Sequence, residues 1–160
     1  MNSKLFSIIA VLVLACLAAA ALYSEKRKLE APELELTGFS AGLIGEPPVV
    51  DVTVELYNPN RVKVNLSGRT VLIVGDYVVG VSEVEVEIPA KSKIQTVIRY
   101  TILKKGDEYL RKTLGTPGKV LIMILLDGDV WSKNSHIKIS RDASAYLVVQ
   151  AGLPPRVAPD

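Results

Sequence analysis

The chain opens with an uninterrupted apolar run, Leu5 to Tyr23 (LFSIIAVLVLACLAAAALY), that contains no charged residue. As a helix, about 19 residues rising 1.5 Å each extend about 28 Å, which matches a bilayer core of ~30 Å. Past residue 32 the apolar period becomes two. Val50, Val52, Val54 and Leu56 alternate with Asp51, Thr53 and Glu55, and Val62, Val64 and Leu66 alternate with Lys63 and Asn65. Val84, Val86 and Ile88 alternate with Glu83, Glu85 and Glu87, and Ile94, Thr96, Ile98, Tyr100 and Ile102 alternate with Gln95 and Arg99. Successive strand side chains point to opposite faces, so each of these runs predicts a half-buried strand. Val120 to Leu126 (VLIMILL) is apolar throughout and predicts a central strand covered on both faces. Ile137, Ile139 and Tyr146 to Val149 supply the last strand material.

Turn residues separate the runs. Asn58-Pro59-Asn60 follows the first strand, Gly75-Asp76 marks a hairpin, and Pro89-Ala90-Lys91-Ser92 lies between two more strands. Asp107 to Leu114 (DEYLRKTL) breaks the alternation. Its acidic start, basic later turn and following Gly115 predict one short helix, with Tyr109, Leu110 and Leu114 available to the core. About seven strands at this spacing predict an all-β fold, an immunoglobulin- or fibronectin type III-like β-sandwich with one short helix, preceded by a single N-terminal transmembrane helix. The expected division is residues 1–23 as anchor or signal segment, 24–32 as linker, 33–150 as the sandwich and 151–160 as a frayed Pro-rich tail.

Three readings fit the N-terminus. A single-pass anchor suits the length, and Lys26, Arg27 and Lys28 would form its membrane flank. A cleaved secretory signal suits the small residues Ala18 to Ala21. Lipidation at Cys16 suits Val13-Leu14-Ala15-Cys16 less well, because apolar sequence continues through Leu22. The anchor is preferred, with Cys16 as a small apolar helix residue. The flanking cations place the domain in the cytoplasm by the positive-inside rule. The export-type order of a short basic start and an apolar run places it outside, and that orientation is preferred.

Composition narrows the function. The 160 residues are 49% hydrophobic and 22% charged, with a net charge of +2 and mean hydropathy +0.29, which excludes a disordered polar chain and gives no electrostatic case for nucleic-acid binding. One cysteine and one histidine exclude an internal disulfide framework and a multi-histidine metal site.

The order of turn signals resembles the late embryogenesis abundant type 2 family, also called the water stress and hypersensitive response (WHy) domain. The residues that carry the resemblance are Asn58-Pro59-Asn60 closing a strand, Gly80 in Val79-Gly80-Val81, and Pro89-Ala90 after Ile88, over roughly residues 33–149. The resemblance implies a β-sandwich with one short helix, no catalytic site, and a role in binding or protection under dehydration. It implies that Asn58, Pro59, Asn60, Gly80, Pro89 and Ala90 are structural.

Candidate chemistry is sparse. The Asn-Pro-Asn segment reads as turn chemistry more readily than as a recognition loop. Glu83, Glu85 and Glu87 read as a solvated strand face; pairing of Ile88 with Ile94 would set Glu87 opposite Gln95 and Glu83 opposite Arg99. Asp127-Gly128-Asp129 lacks the further oxygen ligands of a calcium loop and reads as a tight turn. His136 has no nucleophile or acid in a relay context, and Trp131 reads as a packing residue. Phosphate-loop, dinucleotide and zinc-protease patterns are absent from the sequence. No catalytic, metal or cofactor residue is assigned. The expectation is a non-enzymatic, membrane-tethered protective module whose partners are the membrane, through the N-terminal helix, and client proteins or lipid headgroups. An assembly or adhesion domain of a cell-envelope complex is the alternative.

Overall fold

A computed structural model describes residues 3–24, 28–45 and 47–158. The apolar run forms helix α1 (Ser3–Ser24), and the rest forms β1 (Glu33–Gly42), β2 (Val49–Tyr57), β3 (Val64–Val74), β4 (Tyr77–Ile88), β5 (Lys93–Ile102), α2 (Lys104–Leu114), β6 (Gly118–Trp131), β7 (His136–Val149) and β8 (Arg156–Ala158). Side chains of α1 are described for residues 9–19, and Ile9, Leu12, Leu14 and Leu17 are exposed. Among the described residues no helix is long and apolar enough to cross a membrane. Lys26 and Arg27 of the expected flank lie outside the described residues, whereas Lys28 is described and exposed.

All strand pairs are antiparallel, in the order β1-β2-β5-β4-β3-β6-β7-β8. The sheet nearly divides between β5 and β4, which share only Gly80↔Ile102 and Val81↔Thr101. One layer is therefore β1-β2-β5 and the other is β4-β3-β6-β7-β8. The alternation read from the sequence places most of the core, although Val62 lies before β3 and is exposed, and Val86 and Ile94 are half-buried. Val50, Val52, Val54 and Leu56 of β2 face Leu66, Leu72, Ile122, Ile124 and Leu147, and all are buried. Helix α2 closes the mouth between the layers by burying Leu110, while Tyr109 stacks on Tyr77 with ring centroids 5.0 Å apart.

Several expectations need correction. The hairpin register is the one anticipated, since Gly80↔Ile102 and Ile88↔Ile94 share one register, but the strands separate beyond Val81. Glu83 therefore does not meet Arg99. It lies opposite Arg69 on β3, and Arg99 pairs with Asp51 on β2 through two 2.8 Å hydrogen bonds. Asp127-Gly128-Asp129 is not a turn but the interior of β6, where Gly128 faces Gly68 of β3. A Cβ on Gly128 would lie 2.3 Å from the Ser67 carbonyl oxygen, so the close approach of these strands requires glycine there. The run Val120 to Leu126 is buried on one face only. Ile122, Ile124 and Leu126 point inward, whereas Leu121, Met123 and Leu125 are half-buried on the outside. The tail is not simply frayed: Arg156–Ala158 pairs with β7 from Tyr146 to Val148. The linker joins the domain early, because Leu29 is already buried. Strand β1, an alternating Glu33-Leu34-Glu35-Leu36 with an irregularity between Leu36 and Gly38, was not anticipated.

Two outcomes follow for the fold. Tyr100 is wholly buried in the core, and its hydroxyl finds no hydrogen bond; the nearby Thr70 hydroxyl donates instead to the Ser82 carbonyl at 3.2 Å. Burial pushes the Tyr100 phenol up to about 12, partly offset by Thr70. Tyr100→Phe is expected to hold or raise the midpoint of thermal unfolding, because an unpaired buried hydroxyl stabilises nothing. Leu72→Ala, at an equally buried site, should cost about 2–5 kcal/mol in denaturant titration.

The Asp51 carboxyl is held below the usual carboxylate range, chiefly by its hydrogen bond from Arg99, against a rise from burial and with a smaller lowering from that residue's charge. A depressed folded-state pKa contributes stability above the unfolded value of about 3.9 and loses it as pH falls through the folded value. With 68% of the Arg99 side chain exposed, solvent keeps that contribution small. Carboxyl NMR titration should find Asp51 below the ordinary range and Arg99→Ala should return it there.

Candidate functional site

The segment Asn58-Pro59-Asn60 leaves β2 at the end of the sandwich nearest the chain's entry. Asn58 is completely buried, a position that an amide tolerates only with its polar atoms paired. Its Nδ2 donates to the carbonyls of Val62 (2.9 Å), Ile88 (3.1 Å) and Pro89 (3.0 Å), two hydrogens serving three acceptors. Its Oδ1 accepts from the backbone N–H of Asn60 (2.9 Å) and from Asn60 Nδ2 (2.8 Å). The second Nδ2 hydrogen of Asn60 goes to the Glu30 carbonyl, and Asn60 Oδ1 accepts from the Glu30 N–H, each at 2.8 Å. Backbone bonds Asn58 N–H to Ser92 O and Lys91 N–H to Asn60 O, both 3.0 Å, complete the assembly.

Three segments far apart in sequence are thus fastened together: the entry at Leu29-Glu30, the Asn-Pro-Asn turn, and the turn Pro89-Ala90-Lys91-Ser92. Lys91 adopts a left-handed backbone with φ 51°, which brings its N–H back toward Asn60. Its ammonium donates to the Pro59 carbonyl. Pro89 and Ala90 are exposed at the tip of this turn. Gly80 lies elsewhere, where β4 crosses β5. A Cβ there would stand 3.1 Å from Tyr100 Cβ and 3.2 Å from the Thr101 carbonyl oxygen, so glycine permits that contact.

Beside the Asn60 clamp is a cavity of about 350 Å³ whose wall includes Lys28, Glu30, Arg61, Lys91, Ser132 and Ser135. A second hollow, about 310 Å³, lies at the opposite end between α2 and the start of β6, against Tyr109, Lys112, Val120 and Val149. The first holds convergent charged and hydroxyl groups, and the second is walled mainly by apolar atoms.

The outer face of the larger layer is divided along the strands. Toward the α2 end, Val71 and Ile73 of β3 lie beside Val81 and Val78 of β4 on one side and Leu125 and Met123 of β6 on the other. Leu121 of β6 and Tyr146 of β7 extend the apolar surface. Val78 and Tyr146 are 42% and 41% exposed. Toward the other end the same face carries Arg69, Glu83, Glu85, Asp127 and Asp129. There Asp129 Oδ1 lies 2.8 Å from His136 Nε2, Lys63 pairs with Glu87 at 2.9 Å, and Trp131 is half-buried. The glutamates of β4 are spread along this face and do not converge, and among the described residues no three His, Cys, Asp or Glu side chains cluster as a metal ion requires. Cys16 is a free, exposed residue of α1.

The fold has counterparts among solved structures. A protein of Arabidopsis thaliana, determined in solution, superposes with a TM-score of 0.52 at 8% identity, over 77% of this chain and 82% of its own. A protein from Archaeoglobus fulgidus gives 0.42 at 11% identity over 77% and 98%, and the CARDB domain of a Pyrococcus furiosus protein, crystallised with di-metal ions, gives 0.38 at 15% over 77% and 92%. The Arabidopsis likeness supports the shared strand scaffold and nothing finer. No family model matches the chain, and no curated protein matches it.

Sequence reasoning found the two turns but not that they touch, and it missed Leu29 and Glu30 altogether. It also missed the outer apolar surface, whose signal was present: Val71 to Val74 and Val120 to Leu126 are apolar at every position, which a strand buried on one face does not need. The clamp yields a stability prediction. Asn58→Asp keeps the shape but sets an acceptor against three carbonyls, and is expected to cost more than 3 kcal/mol in denaturant unfolding, since buried unpaired groups cost ~1–3 kcal/mol and charged ones more. Pro59→Ala, which keeps every one of these hydrogen bonds, should cost less than half as much.

Proposed function

We propose that this chain is a non-enzymatic, membrane-tethered module of the late embryogenesis abundant type 2 kind that shields apolar surface on client proteins when water is withdrawn. The observation that carries the reading is the apolar half of the outer sheet face, formed by Val71, Ile73, Leu121, Met123, Leu125 and Tyr146 on a scaffold whose core is separately filled. An apolar surface of this kind on an otherwise polar domain is the usual mark of a binding face. The division into β1-β2-β5 and β4-β3-β6-β7 supports the immunoglobulin-like class. The constant-type arrangement sets the first, second and fifth strands together and the third, sixth and seventh together; here the fourth strand has joined the latter group.

The tether rests on α1. Its backbone is helical over 22 residues, which is about 33 Å, and the sequence from Leu5 to Tyr23 is uncharged. The described side chains cover only its middle. The preferred orientation sets the sandwich on the extracytoplasmic side. Protease added to intact cells should then digest the domain, and protease added to inverted vesicles should spare it; the reverse pattern assigns it to the cytoplasm.

The full chain in detergent micelles should reduce aggregation of a labile test enzyme through a drying cycle. The outward pair of substitutions Leu121→Ser and Met123→Ser should remove at least half of that protection while thermal unfolding stays cooperative. Protection equal to that of an inert sandwich of similar charge sinks the reading. Cross-linking to one stoichiometric partner in native membranes, in place of a scatter of clients, assigns the chain to an envelope assembly instead.

A further inference from the structure

The charges in the connections at the two ends of the sandwich differ in kind. At the end where the chain enters, the described residues of the connections include Lys28, Arg61, Lys63, Lys91 and Lys133 against the single carboxylate Glu30. At the α2 end, among the described residues, the four cations Lys104, Lys105, Arg111 and Lys112 stand with the three carboxylates Asp76, Asp107 and Glu108. The entry end is therefore the cationic one, although the chain as a whole carries only +2. Among the described residues no carboxylate is paired with Lys28, Arg61 or Lys133; Lys63 is held by Glu87 and Lys91 by the Pro59 carbonyl.

Covalent geometry sets where this end must be. Helix α1 finishes at Ser24, and the domain is fastened from Leu29-Glu30 onward. Four peptide steps separate Ser24 from Lys28, a reach of about 14 Å at full extension. If α1 is embedded in a bilayer, the cationic end is kept close to the headgroups, within one or two screening lengths of ~8 Å. The cavity of about 350 Å³ opens at this end, and Lys28, Arg61 and the Ser132 and Ser135 hydroxyls on its wall can donate to a phosphate oxygen while Lys91 adds charge.

We propose that this cavity is a docking site for the phosphate of an anionic lipid headgroup, so that the sandwich leans its entry end on the same membrane that holds its helix. The proposal rests on the tethered reading above. Lipid in place of free phosphate is favoured by the short reach from α1 and by the breadth of the cationic rim, which extends past the cavity to Lys63 and Lys133. Headgroup contact fixes the domain's attitude: the polar clamp faces the bilayer, and the apolar half of the outer sheet, at the far end of the strands, is held away from it.

Trp131 ends β6 next to Ser132 and is the sole tryptophan of the chain, so it reports on this end. The full chain is reconstituted into vesicles of phosphatidylcholine alone or with 30% phosphatidylglycerol, each carrying a headgroup spin label, and Trp131 quenching is measured. Stronger quenching with phosphatidylglycerol, lost in 0.5 M salt and reduced at least fivefold in a Lys28→Gln, Arg61→Gln, Lys133→Gln variant of unchanged thermal midpoint, supports the site. Each juxtamembrane cation contributes about 1 kcal/mol near an anionic leaflet, or roughly fivefold in affinity. Equal quenching in both lipids, or quenching indifferent to the variant, overturns it. Loss of the difference in inorganic phosphate, but not in chloride of equal ionic strength, assigns the cavity to free phosphate and also overturns the lipid assignment. Release of the chain from both vesicle types by carbonate wash fails the tether itself and the inference with it; retention with lipid-independent quenching fails the inference alone.

Discussion

The Asn58 carboxamide is the constraint on which the entry end of the molecule depends. It is buried and satisfied on both sides, with Nδ2 directed at three carbonyls and Oδ1 accepting twice from Asn60. In a low-dielectric interior such a fully paired group is rigid, and a partly paired one is costly, so the assembly forms as a unit or not at all. Asn58 joins the β2–β3 turn to the β4–β5 turn, and Asn60, held by Asn58, adds the strap before β1. One side chain thereby holds the two layers of the sandwich in register at one end, while Leu110 of α2 does so by apolar burial at the other.

Between those ends the layers are separated by the splaying of β4 from β5. Gly80 lets the strands touch at two residue pairs, and beyond Val81 each follows its own sheet. The separation exposes backbone along β4, the kind of edge that invites pairing with another chain. Glu83, Glu85 and Glu87 line that strand on its outer face, and a row of charge is the usual protection. The glutamates thus have a structural role at the split, and their cross-strand partners, Arg69, Ser67 and Asn65, lie on β3.

The surfaces that remain have unlike chemistry at the two ends of the same strands. Strand β6 begins among Leu121, Met123 and Leu125 on its outer face and ends among Asp127, Asp129 and Trp131. The chain enters the sandwich beside the polar, cationic end. On the proposed tethered reading, the apolar surface lies remote from the point of attachment, an arrangement suited to meeting other macromolecules. Among the described residues, the Asp129–His136 contact is exposed, and the Tyr100 hydroxyl is enclosed.

Local periodicity made much of this legible. The inward faces of β2 and β5, the short helix and the hairpin at Gly75-Asp76 follow from side-chain alternation and turn chemistry, which are short-range properties of the chain. Asn58 and Asn60 were recognisable as turn residues for the same reason. Their clamp on Glu30 and on the Pro89 turn was not, because hydrogen-bond partners some 30 residues apart leave no mark on local pattern. Strand pairing shows the same boundary. Alternation assigned Glu83 and Arg99 to outer faces and even implied the correct register, yet Arg99 took Asp51 because β5 lies along β2 once the sheets part. Which face a residue occupies is decided by its neighbours in the chain; which residue it meets there is decided by how the layers pack.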